Sequence, residues 1–516
     1  MNGFKLLSLE LQNNQVMSSD NNLIFNFTDK VVGDKMLYTT VLIGPNGTRK
    51  SMLFRIIINL FKEIYDLATK NERSYSVDGF YTLKYKINKD IYLYSNITRH
   101  EKLISLAPKG RYKTYLYKNN NLINFSIESL PSNIICHSIM IFDKFPIFKD
   151  DSFSIYKYLG VKGKLQNASS KFYIRQIIDF VVSNYNNKSF RDSFVKIIDF
   201  LGLERNIIVF YTTQTSRLFR NDGSLSKHDL DEYFSNLNNK YIKNKKQPPF
   251  KLEYYNKIKS NKSLIDSICS IFDSLYIEDR IYNIPHSPAK QIEYDLFNKE
   301  SLKLLTEDYQ NLEHLRMLGL LSPPVMTLTK KSSYSLEESS SGELHFLTSM
   351  VSLLSTIQEN SLIFVDEPEV SLHPNWQMRY FECIRELFGS ESYSKSHLFV
   401  ATHSHFLISD LKGENSKILG LSQKNKLEVH EFATDINTFG WSAEEVLYRI
   451  FNVRSSRNGF MEYDITKLIT LINRNSEDYT EIGRILNKIR ELELSDSDPL
   501  KIISEKAQKY LNSKNA

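Results

Sequence analysis

Two short segments that lie roughly three hundred residues apart most constrain how this chain can fold. The first is the strand-like stretch 38–43, which runs through the glycine-containing loop 44–51 into a helical pattern. The second is an apolar stretch that begins at Ser361 and ends in the carboxylates Asp366 and Glu367. A loop that leads from a strand into a helix can wrap phosphates with its backbone N–H groups. Together the two segments predict a site for a nucleotide and its metal ion.

The loop follows the P-loop pattern, in which a lysine reaches the outer phosphates and the next hydroxyl ligates Mg²⁺. Lys50 and Ser51 fit these roles, but Arg49 stands where a glycine usually precedes the lysine. Its side chain must point away from the phosphates, or the loop must adjust, so we expect an effect on turnover more than on binding. An ordinary glycine turn between a strand and a helix is the alternative. The candidate nucleotide-binding residues of the loop are Asn46, Gly47, Thr48, Arg49, Lys50 and Ser51.

The carboxylates and a later histidine supply the remaining chemistry. Asp366 at a strand end can hold Mg²⁺ together with Ser51, and Glu367 can orient or deprotonate an attacking water. The next apolar strand leads into His403 and His405, either of which alone is more often a structural histidine. Because a carboxylate-ended strand precedes them, we favour His403 as a catalytic residue beside Glu367. The pattern therefore predicts ATP binding and hydrolysis with Mg²⁺.

A serine-rich segment lies just before the carboxylate strand and leads into an amphipathic stretch. Ser341 and Gly342 at a helix N-terminus form a second anion-binding end, to which Ser340 adds a hydroxyl. With Glu343 three residues after Ser340, ordinary helix capping is the better explanation of an isolated segment of this kind. The order P-loop, Ser-Ser-Gly-Glu, Asp-Glu and histidine favours a nucleotide-binding role for all three residues.

That order resembles the ABC-type ATPases, in particular the branch that contains the SMC, RecF and OLD-like proteins. The resemblance implies an α/β fold: an ABC-type P-loop ATPase head with a mainly helical insertion and a helical C-terminal tail. In that family the signature helix of one subunit closes on the nucleotide held by the other, so Ser340 and Gly342 would contact the γ-phosphate in a head-to-tail dimer. Residues 369–374 resemble the family's D-loop, whereas the turn 143–145 stands at the expected Q-loop position without a glutamine.

Longer phrases resemble one group within this branch, the PtuA ATPases of Septu and retron-Septu anti-phage systems. Members of that group work with a separate HNH nuclease and, in retrons, with a reverse transcriptase and its RNA–DNA product. The resemblance implies a regulatory ATPase of a defence complex. A RecF- or SMC-like DNA-repair or DNA-clamping ATPase is the alternative, and a nucleotide-binding scaffold with slow hydrolysis is the third. The phrases that carry the resemblance are 141–146, 156–160, 366–374 and 437–442.

The chain offers little sign of a nuclease of its own. Asp496 and Asp498 have the spacing of a Toprim motif, but no apolar strand precedes them, and we interpret them as part of a loop. An HNH-like cluster of His, Asn and Cys is also missing from the sequence. We therefore expect any nuclease activity to belong to a partner.

Composition and pattern divide the chain into four parts, with the 41% hydrophobic and 24% charged content of a globular protein. Residues 1–150 are strand-rich and contain the P-loop, forming an N-terminal lobe. Residues 151–325 are predicted to be a mainly helical insertion, with helical spacing in stretches such as 292–305. Residues 326–430 form a C-terminal lobe with the signature, the carboxylates and the switch histidine, and residues 431–516 are helical.

Charge and hydropathy restrict the partners. A net charge of +6 permits nucleic-acid contact without demanding it. The lysine-rich segment 240–262, with Tyr241, Phe250, Tyr254 and Tyr255 interleaved, fits a nucleic-acid-facing arm, although we favour a solvated loop. No apolar stretch is long enough to span a membrane and no signal segment begins the sequence, so we expect a cytoplasmic protein without a membrane partner.

Overall fold

The fold was obtained as a computed structural model. It describes residues 3–17, 22–28, 37–72, 77–97, 113–149, 152–162, 170–214, 225–244, 247–277, 280–287, 289–389, 391–423, 427–432, 438–451, 458–492, 494 and 498–514. The chain divides into two compact units, Met1–Gly440 and Trp441–Ala516. Asp496, of the Toprim-like spacing, lies outside the described residues, as does Asn437 at the start of the phrase 437–442.

The strands and helices are numbered along the chain. The strands are β1 (Phe4–Gln12), β2 (Leu23–Asn26), β3 (Tyr38–Ile43), β4 (Phe80–Ile87), β5 (Asp90–Ser95), β6 (Tyr115–Lys118), β7 (Asn121–Ile123), β8 (Ile134–Ser138), β9 (Tyr156–Tyr158), β10 (Ile208–Thr212), β11 (Ile281–Asn283), β12 (Lys290–Asp295), β13 (Val325–Thr329), β14 (Ser333–Ser335), β15 (Leu362–Asp366), β16 (His397–Thr402), β17 (Ser416–Gln423) and β18 (Leu427–Glu431). The helices are α1 (Lys50–Lys70), α2 (Ser170–Ser183), α3 (Lys188–Phe200), α4 (Lys227–Lys243), α5 (Phe250–Ile258), α6 (Lys262–Ile277), α7 (Lys299–Met317), α8 (Ser341–Thr356), α9 (Pro374–Met378), α10 (Tyr380–Phe388), α11 (Glu391–Ser394), α12 (His405–Ile408), α13 (Ala443–Arg449), α14 (Gly459–Asn473), α15 (Tyr479–Arg490) and α16 (Pro499–Lys514).

A seven-stranded sheet in the order β18-β17-β3-β16-β15-β8-β9 positions the predicted site. All neighbours in it pair in parallel except β17 and β18. The register places Asp366 opposite Ala401, and Thr402 opposite Ile43. Because β3, β15 and β16 are buried along their whole length, they are apolar runs rather than alternating strands, as parallel central strands require. The carboxyl ends of β3, β15 and β16 therefore lie at one edge of this sheet. The P-loop, the two carboxylates and His403 lie at or directly after these ends.

Helix α1 packs between the parallel sheet and a six-stranded antiparallel sheet in the order β2-β1-β4-β5-β6-β7. On one side, the Phe54 ring lies 4.8 Å from that of Phe364 in β15. On the other, the Phe61 ring lies 5.2 Å from that of Tyr85 in β4. These rings belong to one continuous core. Burial on both sides fixes the start of α1, and with it Lys50 and Ser51, against the ends of the parallel strands.

The segment 151–325 contains six helices in the described residues, but it is less purely helical than we expected. A five-stranded antiparallel sheet in the order β11-β12-β10-β13-β14 draws three of its strands from this segment. The helical prediction for 292–305 is wrong in its first part, because residues 290–295 form β12 and only then does α7 begin. Pairing of β12 with β10, some eighty residues earlier, overrides the local helical spacing.

The unit Trp441–Ala516 is helical in its described residues, with α13 to α16. Its core is a small apolar cluster that includes Leu468, Ile482 and Leu486. The predicted α/β class with a helical C-terminal region is thus confirmed. In the described part of the chain, no helix has both the length and the apolar character needed to cross a membrane.

Candidate functional site

The loop between β3 and α1 has the glycines that close backbone approach requires. Gly44 has φ 150°, and a Cβ there would lie 2.2 Å from the carbonyl oxygen of Leu421, so only glycine fits. Gly47 has φ 86° and nothing within 4 Å of a Cβ position, which leaves its backbone open to a ligand. The Thr48 hydroxyl donates to the Pro45 carbonyl at 2.8 Å and closes the turn. Pro45, Asn46 and Gly47 are exposed, as a phosphate cradle must be.

Arg49 adopts the backbone conformation that glycine usually supplies. Its φ of 67° and ψ of 25° are left-handed, and it is the N-cap residue of α1. A left-handed non-glycine residue costs about 1–2 kcal/mol. The guanidinium donates to the carbonyl of Val16, in the turn after β1, which offsets part of that cost. The loop therefore keeps its conformation with an arginine at this position.

Lys50, Glu367 and His403 meet beside the loop. The Lys50 ammonium donates to the Gly44 carbonyl at 2.9 Å and lies 2.7 Å from Nε2 of His403. The same Nε2 lies 3.5 Å from Oε1 of Glu367. Burial lowers the pKa of Lys50 to about 8, against the opposite effect of Glu367, Asp366 and Glu369. The contact with His403, followed by its charge, lowers the pKa of Glu367, so this carboxylate is ionised and available as a base.

Ser51 and Asp366 form an all-oxygen pair suited to Mg²⁺. The Ser51 hydroxyl donates to Oδ1 of Asp366 at 2.9 Å, although the two lie on α1 and β15. Burial raises the pKa of Asp366 to about 7, and a nearby cation would keep this carboxylate ionised. Within the described residues no group of three or more His, Cys, Asp or Glu side chains could hold a metal ion. One carboxylate and one hydroxyl still fit Mg²⁺, which usually keeps waters and substrate phosphates as its other ligands.

Two acidic residues near the site were not singled out as site residues from the sequence. Glu369 accepts hydrogen bonds from Thr402 and from the backbone of His403. Asp143 is 5% exposed, accepts a hydrogen bond from the Tyr158 hydroxyl, and contributes to the raised pKa of Asp366. The sequence feature that could have identified Glu369 as a site residue is its place in the Asp-Glu-Pro-Glu run that begins at Asp366. Nothing in the sequence connects Asp143 with Tyr158 except proximity along the chain.

The signature residues lie apart from this group. Ser340 is the N-cap of α8 and forms a capping box with Glu343, in which each side chain accepts from the other's backbone at 3.2 Å. Ser340 and Ser341 are exposed, and no hydrogen bond among the described residues joins them to the P-loop. Gly342 is buried against the D-loop segment, where a Cβ would lie 2.5 Å from the Ser371 carbonyl oxygen. The N-terminal end of α8 is thus presented to solvent rather than to the chain's own loop.

The lysine-rich segment 240–262 is largely helical and uses part of its aromatic content internally. The Tyr255 ring stacks on Phe234 with centroids 4.2 Å apart, and Tyr254 hydrogen-bonds Nδ1 of His314 at 2.6 Å. These two tyrosines are therefore engaged within the protein. The favoured prediction of a solvated loop is wrong for most of the segment, because the end of α4 and all of α5 lie in it. Phe250 remains 59% exposed. Lys245 and Lys246 lie outside the described residues.

Residues 159–410 match the family model described as "AAA domain, putative AbiEii toxin, Type IV TA system". The matched segment contains the signature, Asp366, Glu367 and His403, and it begins after the P-loop. This part of the chain is therefore similar to an AAA-type ATPase domain. No curated protein matches the chain.

Several solved structures are similar to the chain at low identity. The Smc head domain of Pyrococcus furiosus with an extended coiled coil, bound to the C-terminal domain of ScpA, is 12% identical with a TM-score of 0.32, covering 88% of this chain and 100% of that chain. The Smc head domain of Pyrococcus yayanosii, with a coiled coil and joint, is 12% identical with a TM-score of 0.33. The match covers 86% of this chain and 99% of that chain. The recombination mediator protein RecF with ATP is 13% identical with a TM-score of 0.28. The match covers 84% of this chain and 98% of that chain. TM-scores this low give no support to any residue assignment, so the interpretation rests on the chain's own geometry.

Proposed function

We propose that this chain binds ATP with Mg²⁺ and hydrolyses it. The observation that carries the proposal is the meeting of Lys50, Ser51, Asp366, Glu367 and His403 at one edge of the parallel sheet. These residues come from three segments of the sequence that are far apart. A structural role alone does not explain why a lysine, two carboxylates and a histidine are held together beside an open glycine loop.

The residues divide the chemistry among them. The exposed backbone of the P-loop and the Lys50 ammonium bind the outer phosphates. Ser51 and Asp366 would hold Mg²⁺, which would neutralise charge on the phosphates. Glu367 orients the attacking water and accepts its proton at the carboxylate, for which its lowered pKa leaves it ionised. His403 lies within reach of both Lys50 and Glu367 and supplies a hydrogen bond at the γ-phosphate or the water.

The position of the signature supports a dimer. Ser340, Ser341 and Gly342 stand at a helix N-terminus, where the backbone attracts anions, yet they do not contact their own P-loop. In our proposal they meet the nucleotide held by a second copy, in a head-to-tail pair. Each site then requires two chains, and nucleotide state controls association.

Within this mechanism, we propose that the chain is the regulatory subunit of an anti-phage defence complex of the Septu or retron type. It would control a separate HNH nuclease, in retrons together with a reverse transcriptase and its RNA–DNA hybrid. The resemblance of the phrases 141–146, 156–160 and 366–374 supports this role. The family that residues 159–410 match is described as containing a putative toxin, which is compatible with this role.

A RecF- or SMC-like DNA-repair or DNA-clamping ATPase is the second candidate. The observation that favours it is the lysine-rich segment 240–262, in which the Phe250 ring is 59% exposed and stacks on Tyr254 with centroids 6.0 Å apart. Neutralising Lys243, Lys245 and Lys246 together would then abolish salt-dependent binding to duplex DNA. A defence regulator predicts little effect of the same change on ATP hydrolysis.

A pull-down separates the two candidates. We would express Glu367→Gln, which binds ATP but lacks the base, together with the neighbouring genes, and identify co-purifying protein and nucleic acid. A nuclease, with or without a small RNA–DNA hybrid, is the result expected for the defence complex. Bulk duplex DNA without a nuclease would favour repair or clamping. The Lys50→Ala variant, which loses the phosphate contact, serves as the matched control for nucleotide dependence.

A further inference from the structure

Glu369 ties the loop of His403 to the segment that follows the carboxylate strand. Its Oε1 accepts a hydrogen bond from the Thr402 hydroxyl at 2.8 Å and another from the backbone N–H of His403 at 2.7 Å. Both donors lie at the end of β16, more than thirty residues away in sequence. One oxygen of Glu369 therefore accepts both hydrogen bonds and holds the end of the strand in place.

A second side chain strengthens the same connection. Gln377 in α9 donates to the Leu372 carbonyl at 2.9 Å, and its Oε1 accepts from the Ser404 hydroxyl at 2.6 Å. The backbone N–H of Ser404 in turn donates to the Thr402 hydroxyl at 2.9 Å. His403 is therefore flanked on both sides by residues that are hydrogen-bonded to the segment 369–377.

The geometry of Glu369 is unfavourable for a residue that serves stability alone. Its Oε2 is buried and lacks a hydrogen-bond partner among the described residues, and burial raises the pKa of the carboxyl group. An unpaired buried carboxylate oxygen costs free energy that a smaller neutral residue would avoid. Such costs persist where a position has a function. Glu369 lies two residues from Glu367 along the chain, and it accepts a hydrogen bond from the backbone of His403.

We propose that Glu369 is a positioning residue, which fixes the backbone of His403 so that its ring faces Lys50 and Glu367. The proposal rests on the ATPase function given above. Glu369 does not contact the reacting atoms and acts through His403. Losing it should therefore impair turnover through the position of His403 and leave nucleotide affinity, which depends on the P-loop, nearly unchanged.

Hydrogen exchange tests the positioning directly and does not depend on hydrolysis. In the full chain, Thr402→Val removes one donor with little change in volume, and Glu369→Ala removes the acceptor. We expect amide exchange of a peptide covering residues 402–404 to become about tenfold faster in both, with no change in a peptide from β15. Thr402→Ser keeps the hydroxyl and should exchange like the wild type. Unchanged exchange at 402–404 in Glu369→Ala would overturn the proposal, because that variant removes the acceptor of the His403 N–H.

Steady-state hydrolysis tests whether Glu369 acts through His403. We expect Thr402→Val and Glu369→Ala to lower kcat about tenfold with ATP affinity within about twofold of wild type. In a His403→Ala background the same changes should lower kcat no further, since the group they position is gone. Equal losses in both backgrounds, or a loss of affinity as large as the loss of kcat, would overturn the proposal. A wild type that neither binds nor hydrolyses ATP would instead refute the proposed function, while the exchange result would still report on the contact.

Discussion

Arg49 holds a left-handed backbone (φ 67°, ψ 25°) at the entry to α1, with its side chain directed to the Val16 carbonyl. Because the loop already has the conformation that glycine gives, we expect Arg49→Gly to change kcat less than about threefold. Arg49→Ala, which keeps the Cβ but loses the contact, is the control. Initial rates of ATP hydrolysis by the wild type, Arg49→Gly and Arg49→Ala measure the effect of this residue on turnover. A gain of tenfold or more in Arg49→Gly would show that arginine restrains turnover and would favour a slow nucleotide-binding scaffold.

His137, buried in β8, makes stability depend on pH. Burial, with the nearby charge of His345, lowers its pKa to about 4, against about 6.5 in the unfolded chain. Between these values the unfolded state binds the proton and the folded state does not, so stability falls as pH falls. The slope is about 1.4 kcal/mol per pH unit for this group. Carboxyl groups whose pKa is raised act in the opposite direction, so the comparison must isolate the histidine.

Urea unfolding from pH 7 to pH 4 provides that comparison. His137→Gln should lose less stability than the wild type over this range, because its side chain does not titrate. The exposed His430 in β18 offers a matched substitution, His430→Gln, whose pH dependence should follow the wild type. Parallel curves for all three proteins would contradict the assignment of a neutral buried His137.

At the scale of elements, the contact between α8 and the D-loop segment is tight. A Cβ at Gly342 would lie 2.5 Å from a backbone oxygen, which cannot move as a flexible side chain can. We expect Gly342→Ala to destabilise the protein by about 2 kcal/mol, as overpacking typically does, and to lower turnover by shifting the signature. Gly483→Ala in α15, where nothing lies within 4 Å, is the control and should not destabilise. Chemical unfolding of both variants checks this, and equal stability would contradict the close packing.

The strands that build the site were predictable because their signals are local. The apolar runs of β3 and β15 and the polar residues at their ends are visible in the sequence, and parallel strands bring their carboxyl ends to one edge. The five-stranded sheet was missed because its strands are short and β12 pairs with β10 far away along the chain. Glu369 was missed as a site residue for a similar reason, since its role arises from a contact with Thr402 and His403 rather than from any spacing.

For the molecule as a whole, the proposed mechanism requires two copies of the chain to form one complete site. We expect Glu367→Gln to form a dimer in the presence of ATP and Mg²⁺ and a monomer without nucleotide, measured by light scattering during size-exclusion chromatography. Ser341→Arg, at the exposed start of α8, should abolish the dimer while ATP binding to the P-loop persists. Asn487→Arg, at an exposed position in α15, serves as a control for an added surface charge. A dimer that forms equally well without ATP, or in Ser341→Arg, would contradict nucleotide-controlled association.

Hydrolysis of ATP at this edge of the sheet is measured by phosphate release from the purified chain. The comparison needs the wild type, Glu367→Gln and Glu359→Gln. Glu359 precedes the start of β15, at the end opposite Glu367, and its carboxylate forms an ion pair with Lys395. We predict steady release by the wild type and by Glu359→Gln, and a loss of at least a hundredfold in Glu367→Gln with ATP still bound. Equal release by Glu367→Gln and the wild type would contradict the assigned base, and no ATP binding by the wild type would contradict the site itself.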